Sequence, residues 1–149
     1  MKHAVIPLVI IFMLILGSCL PVDIDPPKGF AVVKEKGGIF RASSPEGMNF
    51  SLRSVKNYPE KDLPFWEEAL KNHLSREGYI PLRGGSSFST KAGEGVYFEW
   101  VLPYKGEDYI YLTGILVAKR KIIIAEAGGQ KDIYMSYREE LMESLNSLR

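Results

Sequence analysis

The runs VYFEWVLPY at 96–104, YIYLTGILV at 109–117 and KIIIAEA at 121–127 decide the fold. The breaks between them, Lys105-Gly106-Glu107 and Lys119-Arg120, are too short for a crossover. Successive runs are therefore antiparallel neighbours in a meander. In the middle run one face carries Tyr111, Thr113, Ile115 and Val117, and the other carries Ile110, Leu112, Gly114 and Leu116. In the last run Ile122 and Ile124 oppose Ile123, Ala125 and Ala127. An antiparallel sheet with one wet face alternates apolar and polar residues. This one is apolar on both faces, so both need cover. The expected architecture is α+β, an antiparallel meander between helical layers in an α/β/α sandwich.

Working outward, two segments supply the layers. Asp62–Glu77 reads as a helix with Asp62 at the N-cap, Pro64 in the first turn and Gly78 as a left-handed stop. Phe65, Trp66, Ala69, Leu70, His73 and Leu74 form its apolar stripe. Asp132–Arg149 reads as a single closing helix, with Ile133, Tyr137, Leu141, Leu145 and Leu148 on one face. Before the first helix, Phe30–Lys34 and Gly38–Ala42 read as a hairpin turning at Glu35-Lys36-Gly37. After the Ser-Pro-Glu-Gly turn at 44–47, Met48, Phe50 and Leu52 alternate with polar residues as a strand. Tyr79–Leu82 reads as a short strand, and Gly84–Ser89 and Lys91–Gly95 as loops.

The N-terminus has a different character. A basic start, the apolar run Ala4–Leu16 and small residues at Gly17-Ser18 describe a secretory signal. The run is shorter than the roughly 20 residues of a membrane-spanning helix, and Pro7 interrupts it. Leu16-Gly17-Ser18-Cys19 resembles the lipobox of bacterial lipoproteins. That resemblance implies cleavage after residue 18 and acyl chains, palmitate among them, on Cys19. Two or three such chains would anchor the protein firmly, since each buried methylene contributes about 0.8 kcal/mol. Cys19 is the only cysteine, so no disulfide accounts for it. Leu20 follows it where inner-membrane retention usually needs Asp. The expected location is therefore the cell envelope, on the periplasmic face of the outer membrane in a host with two membranes. Residues 19–28, with three prolines in Leu20–Lys28, read as an extended tether, and 29–149 as one domain.

Composition excludes several functions. Residues 1–18 contain Lys2 and no acid, so the remaining Lys and Arg balance Asp and Glu, which number 18. A neutral chain lacks the basic excess of a nucleic-acid binder. His73 is the only histidine beyond the signal, so neither a zinc site nor a cofactor is expected. On the helix stripe it reads as a half-buried structural residue. Glu99 and Glu126 fall in meander strands. Together they would make a glycosidase pair only at about 5 to 9 Å separation, and solvated rim positions are the ordinary explanation. The glycines at 84–85 and 93–95 lack the lysine and helix of a phosphate loop.

In order and pattern the chain resembles the Mog1/PsbP-like fold over Gly29–Arg149. The likeness rests on Phe40–Met48, Phe65–Leu70, the meander Tyr97–Glu126 and Tyr137–Met142. It implies a binding or assembly role and supplies no catalytic residues. Tyr97, Trp100, Tyr104, Tyr109 and Tyr111 cluster around one hairpin as a possible interaction surface. The expectation is a non-enzymatic, membrane-anchored envelope lipoprotein that binds an envelope protein as an accessory or assembly factor. The alternative is a small-ligand or glycan-binding lipoprotein using a groove between helix and sheet.

Overall fold

The computed structural model describes residues 23–34 and 39–149. The signal, Cys19, the start of the tether and the turn at Glu35–Gly37 lie outside the described residues. The strands are β1 (Ala31–Lys34), β2 (Phe40–Ser43), β3 (Asn49–Lys56), β4 (Ile80–Thr90), β5 (Gly93–Tyr104), β6 (Glu107–Ala118) and β7 (Lys121–Gln130). They form one antiparallel sheet in the order β1-β2-β3-β7-β6-β5-β4. The predicted meander is its centre. The two-residue turn between β5 and β6 has both Lys105 (φ 50°) and Gly106 (φ 79°) in the left-handed region, which matches the twist of paired strands.

Both faces are covered, as the two-sided apolar pattern requires. Helix α1 (Leu63–Arg76) lays Leu63, Trp66, Leu70 and Leu74 over Val96, Phe98, Trp100, Ile115 and Ile122. The Asp62 carboxylate accepts from the Phe65 amide at 3.1 Å, and Gly78 (φ 89°) ends the turn. His73 is exposed, not half-buried. The packed stripe is the 63–66–70–74 row, and His73 falls to its solvent side.

Helices α2 (Lys131–Ser136) and α3 (Arg138–Asn146) cover the other face, with Tyr134, Leu141, Leu145 and Leu148 in the core beside Phe50, Leu112 and Leu116. The single closing helix of the sequence reading is broken at Tyr137 (φ −107°, ψ 5°). There the Tyr137 amide bonds the Tyr134 carbonyl, and the Ser136 hydroxyl takes the Ile133 carbonyl at 2.7 Å. A side chain competing for a helix carbonyl weakens the regular ladder.

Two further expectations are corrected. Gly84–Ser89 and Lys91–Gly95 are mostly strand, because β5 supplies a pairing partner from Thr90 back to Ile80. The register slips between Pro81 and Arg83 and again before Ser86. The glycines serve those bulges and close contacts. A Cβ at Gly95 would stand 2.4 Å from the Phe88 ring and 2.8 Å from the Ile115 carbonyl.

The described part of the tether does not stand clear of the domain. Ile24 is in the core and Pro27 is buried. Asp23 and Arg149 exchange backbone bonds of 2.8 and 3.1 Å. The Arg149 guanidinium reaches the carboxylates of Asp23 and Asp25 at 2.7 and 3.0 Å. The folded unit thus starts at or before Asp23, ahead of Gly29. Proline excludes helix there, but an extended segment can still pack as a strap. Ile24→Ala is therefore expected to lower unfolding free energy by about 2 kcal/mol, the low end for a buried isoleucine. Exposed Lys28→Ala should change it by under about 0.5 kcal/mol. Urea denaturation of both variants checks this, and a silent Ile24→Ala would mean a free tether.

Candidate functional site

The sheet is longer than the helix that covers one of its faces. At about 1.5 Å per residue α1 spans roughly 21 Å, whereas twelve-residue β6 spans roughly 40 Å. The uncovered end of this face is a groove of about 610 Å³. Registration explains its shape. One row across the sheet reads Asn49, Gly128, Tyr111, Trp100, and the next reads Ser51, Glu126, Thr113, Phe98. Gly128 puts no side chain between Asn49 and Tyr111, and this leaves the hollow.

The groove has dissimilar walls. On the β5–β6 side stand Leu102, Tyr104, Tyr109 and Tyr111, joined by Tyr79 from the end of α1. Tyr104 and Tyr109 meet edge to face with centroids 6.2 Å apart, and Tyr79 and Tyr111 are 5.3 Å apart. On the β3–β7 side stand Asn49, Ser51 and Glu126. The Tyr111 hydroxyl donates to Glu126 Oε1 at 2.5 Å, and Arg53 reaches Oε2 at 3.4 Å. Burial, and then the Glu126 bond, push the Tyr111 phenol above its ordinary range. The groove carboxylate is thus matched by a guanidinium and a fixed hydroxyl.

The proposed aromatic surface divides. Trp100 is 1% exposed beneath α1 and belongs to the core. Tyr97 is on the opposite face, against Phe88 at 6.3 Å. Tyr111 shares the face of Trp100, its direct partner in the β5–β6 register. Tyr104, Tyr109 and Tyr111 remain as groove residues, with Tyr104 55% exposed. Tyr79, Asn49, Ser51 and Gly128 escaped the sequence reading. The pairing of β3 with β7 that brings Asn49 and Ser51 in skips four intervening elements. Alternation in β3 did mark Asn49 and Ser51 as a polar face.

Glu99 and Glu126 cannot work as a pair, because the register puts them on opposite faces of the sheet. Glu99 is fully buried under α2 and α3. It accepts from Tyr134 at 2.7 Å and from Arg138 at 2.8 and 3.1 Å, with Arg83 at 3.5 Å. Burial and the Glu99 bond raise the Tyr134 phenol, and the same carboxylate raises Arg138. This is a satisfied structural bracket. Among the described residues no group of three His, Cys, Asp or Glu side chains is placed to hold a metal, and no helix is long and apolar enough to cross a membrane.

No family model and no curated protein matches the chain by sequence. Solved structures do match by shape. LpqN, involved in cell envelope biogenesis of Mycobacterium tuberculosis, superposes with a TM-score of 0.61 at 13% identity, over 85% of this chain and 81% of that one. Cyanobacterial PsbP (CyanoP) from Synechocystis gives 0.58 at 11% identity, over 90% of this chain and 98% of its own. A Bacteroides thetaiotaomicron protein gives 0.50 at 14%, with 86% of this chain covering 44% of that larger one. At such identities the likeness is one of fold. The domain has the Mog1/PsbP-like fold that the order of its elements implied.

Core and groove aromatics should separate cleanly on truncation. Trp100→Ala is expected to cost about 3–5 kcal/mol of stability. Tyr104→Ala should cost under about 0.5 kcal/mol, as an exposed substitution does. Chemical denaturation measures both, and equal losses would contradict the division. The raised phenols also set an alkaline limit. An unfolded tyrosine ionises near pH ~10. A folded value above that gives stability that is complete below pH ~10 and is lost as pH rises further. The urea midpoint should hold to about pH 9 and fall above pH ~10. Tyr111→Phe should make that fall shallower; an unchanged slope would show that Tyr111 ionises normally.

Proposed function

We propose that the protein is a non-enzymatic binding factor of the bacterial cell envelope, lipid-anchored through Cys19, and that the tyrosine groove is where it takes its ligand. The observation that carries this reading is the groove itself. It is an open groove of small-ligand size, aromatic with a few convergent polar groups, the kind of lining that ligand sites usually have. Charge supports a binding role over a catalytic one. The carboxylates are split between faces, the only described histidine is exposed, and the groove carboxylate is already bonded to Tyr111 and Arg53. LpqN, which shares the fold, is involved in cell envelope biogenesis, in keeping with an envelope role here. The lipobox-like Leu16-Gly17-Ser18-Cys19 supports the anchor.

Between the occupants considered from sequence, the geometry favours a small ligand over a protein partner. A stable protein interface needs about 800 Å² per side around a buried aromatic anchor. Trp100, the natural anchor of the cluster, is inside the core.

Both parts of the proposal are testable. Cys19→Ser should accumulate as precursor or leave the membrane fraction; a membrane-bound product of mature size would refute the anchor. In a strain lacking the native copy, Gly128→Val should accumulate normally yet leave the envelope phenotype of the deletion uncorrected. A Cβ at Gly128 meets only ordinary contacts, 3.7 Å from the Ile110 carbonyl and the Tyr111 ring, and the thermal midpoint of the purified variant checks that the two further carbons of valine are accommodated. Full complementation by Gly128→Val would put the ligand elsewhere.

A further inference from the structure

The two walls of the groove differ in chemistry. Asn49 and Tyr111 stand on strands two apart, with Gly128 between them. Strands are about 4.8 Å apart, so the two backbones are roughly 10 Å apart across the glycine, and the Tyr111 hydroxyl closes the floor of that gap on Glu126 at 2.5 Å. That width admits one six-membered ring held edge-on to the floor, or a chain of such rings. One wall is aromatic: Tyr104, Tyr109 and Tyr111. The other offers an amide, a hydroxyl and a carboxylate from Asn49, Ser51 and Glu126. A ligand that fills this space needs one face of C–H bonds and edges rich in hydroxyls.

Charge and backbone narrow the class further. Among the described residues no lysine or arginine lines the groove: Arg53 pairs with Glu126 at 3.4 Å, and Lys105 sits at the edge with its ammonium 5.3 Å over the Tyr104 ring, so the lining itself carries no cation for a phosphate or carboxylate. Asn49 already bonds Ser43 and Gly47, and Glu126 bonds Tyr111 and Arg53, but a purely apolar chain would still cover the Ser51 hydroxyl and the remaining acceptor sites of that wall without pairing them, and an unpaired buried polar group costs about 1–3 kcal/mol. An extended peptide gains affinity by pairing its backbone with a sheet edge. The groove instead lies on the face of β3, β7, β6 and β5, paired with one another, and only the Leu102–Tyr104 end of β5 runs beyond its pairing with β4, too short a free edge to hold an extended peptide.

We infer that the groove binds a neutral saccharide, one ring stacked on the Tyr104–Tyr109–Tyr111 wall with its hydroxyls turned to Asn49, Ser51 and Glu126. This rests on the groove being the working site and names its ligand class. Sugar hydroxyls both donate and accept, which suits a wall holding the Asn49 amide, the Ser51 hydroxyl and the acceptor oxygens of Glu126.

The experiment uses full-length protein purified in a detergent without a sugar headgroup. Diacetylchitobiose, cellobiose and maltose, and enzymatically released glycan strands of the host cell wall, are titrated while amide and tyrosine ring NMR signals are followed. The expected result is saturable shifts at Asn49, Tyr104, Tyr109 and Tyr111 with at least one of these probes. Gly128→Val should weaken binding at least tenfold with an unchanged thermal midpoint, and Tyr109→Ala should do the same by removing the stacking face. Dioleoylphosphatidylglycerol vesicles and a random decapeptide pool serve as the other arms. Groove shifts with vesicles or peptides but with no saccharide would overturn the sugar and leave the groove standing. Saccharide binding that Gly128→Val and Tyr109→Ala leave intact would overturn the assignment of sugar to this groove. Silence of the groove to all the probes would overturn the sugar, and with complementation by Gly128→Val it would overturn the groove as well.

Discussion

A helix advances about 1.5 Å per residue and a strand about 3.3 Å, and the groove of this domain follows from that difference. The central strands are apolar on both faces and must be covered on both. On one face the chain spends two helices, the terminal residues through Leu148 and the strap from Asp23 on the task. On the other it spends only α1, which is about half as long as β6. The groove is the remainder. Tyrosines suit that remainder because their rings lie on apolar neighbours while their hydroxyls reach water or a partner.

The central meander was legible because local chemistry and tertiary demand agree there. Short turns force antiparallel pairing, and apolar residues on successive positions require two layers. The N-cap at Asp62 and the stop at Gly78 were equally readable, since capping is settled within a few residues. What failed depends on partners far away in the chain. Gly84–Ser89 looks like loop until β5 pairs with it. Leu20–Lys28 looks like a free tether until Ile24 meets the core and Arg149 closes on Asp23 and Asp25. The aromatic cluster was visible as composition, but only the register separates Trp100 and Tyr111 from Tyr97.

Two polar brackets that no motif announces position the layers. Asn57, buried after β3, bonds the Lys61 amide and carbonyl, the Lys119 carbonyl and the Trp66 indole at 2.7–3.2 Å. It thereby ties the start of α1 to the β6–β7 turn and fixes which part of the sheet α1 covers. Glu99 plays the matching role beneath α2 and α3. Its bonds to Tyr134 and Arg138 straddle the break at Tyr137. A buried carboxylate with its bonds satisfied adds little net stability, but removing a partner is costly. Such a group favours one arrangement of helix on sheet over its neighbours.

The strap also gives the groove a direction. It runs antiparallel to α3: Asp23 pairs with Arg149, Asp25 bonds Ser147 and Ser144, and Phe30 meets Tyr137 edge to face at 5.2 Å. Tyr137 in turn donates to Glu46, next to Gly47 on the groove rim. The chain therefore enters the domain at the end of α3 remote from the groove. From Cys19 to Asp23 an extended chain reaches at most about 14 Å. On the proposed lipid anchor at Cys19, the entry end would be held close to the headgroups and the tyrosine wall would open away from them. A site so oriented samples the space beyond the bilayer surface, where hydrated polymers are found and acyl chains are not. A neutral saccharide, as proposed for the groove, belongs on that side.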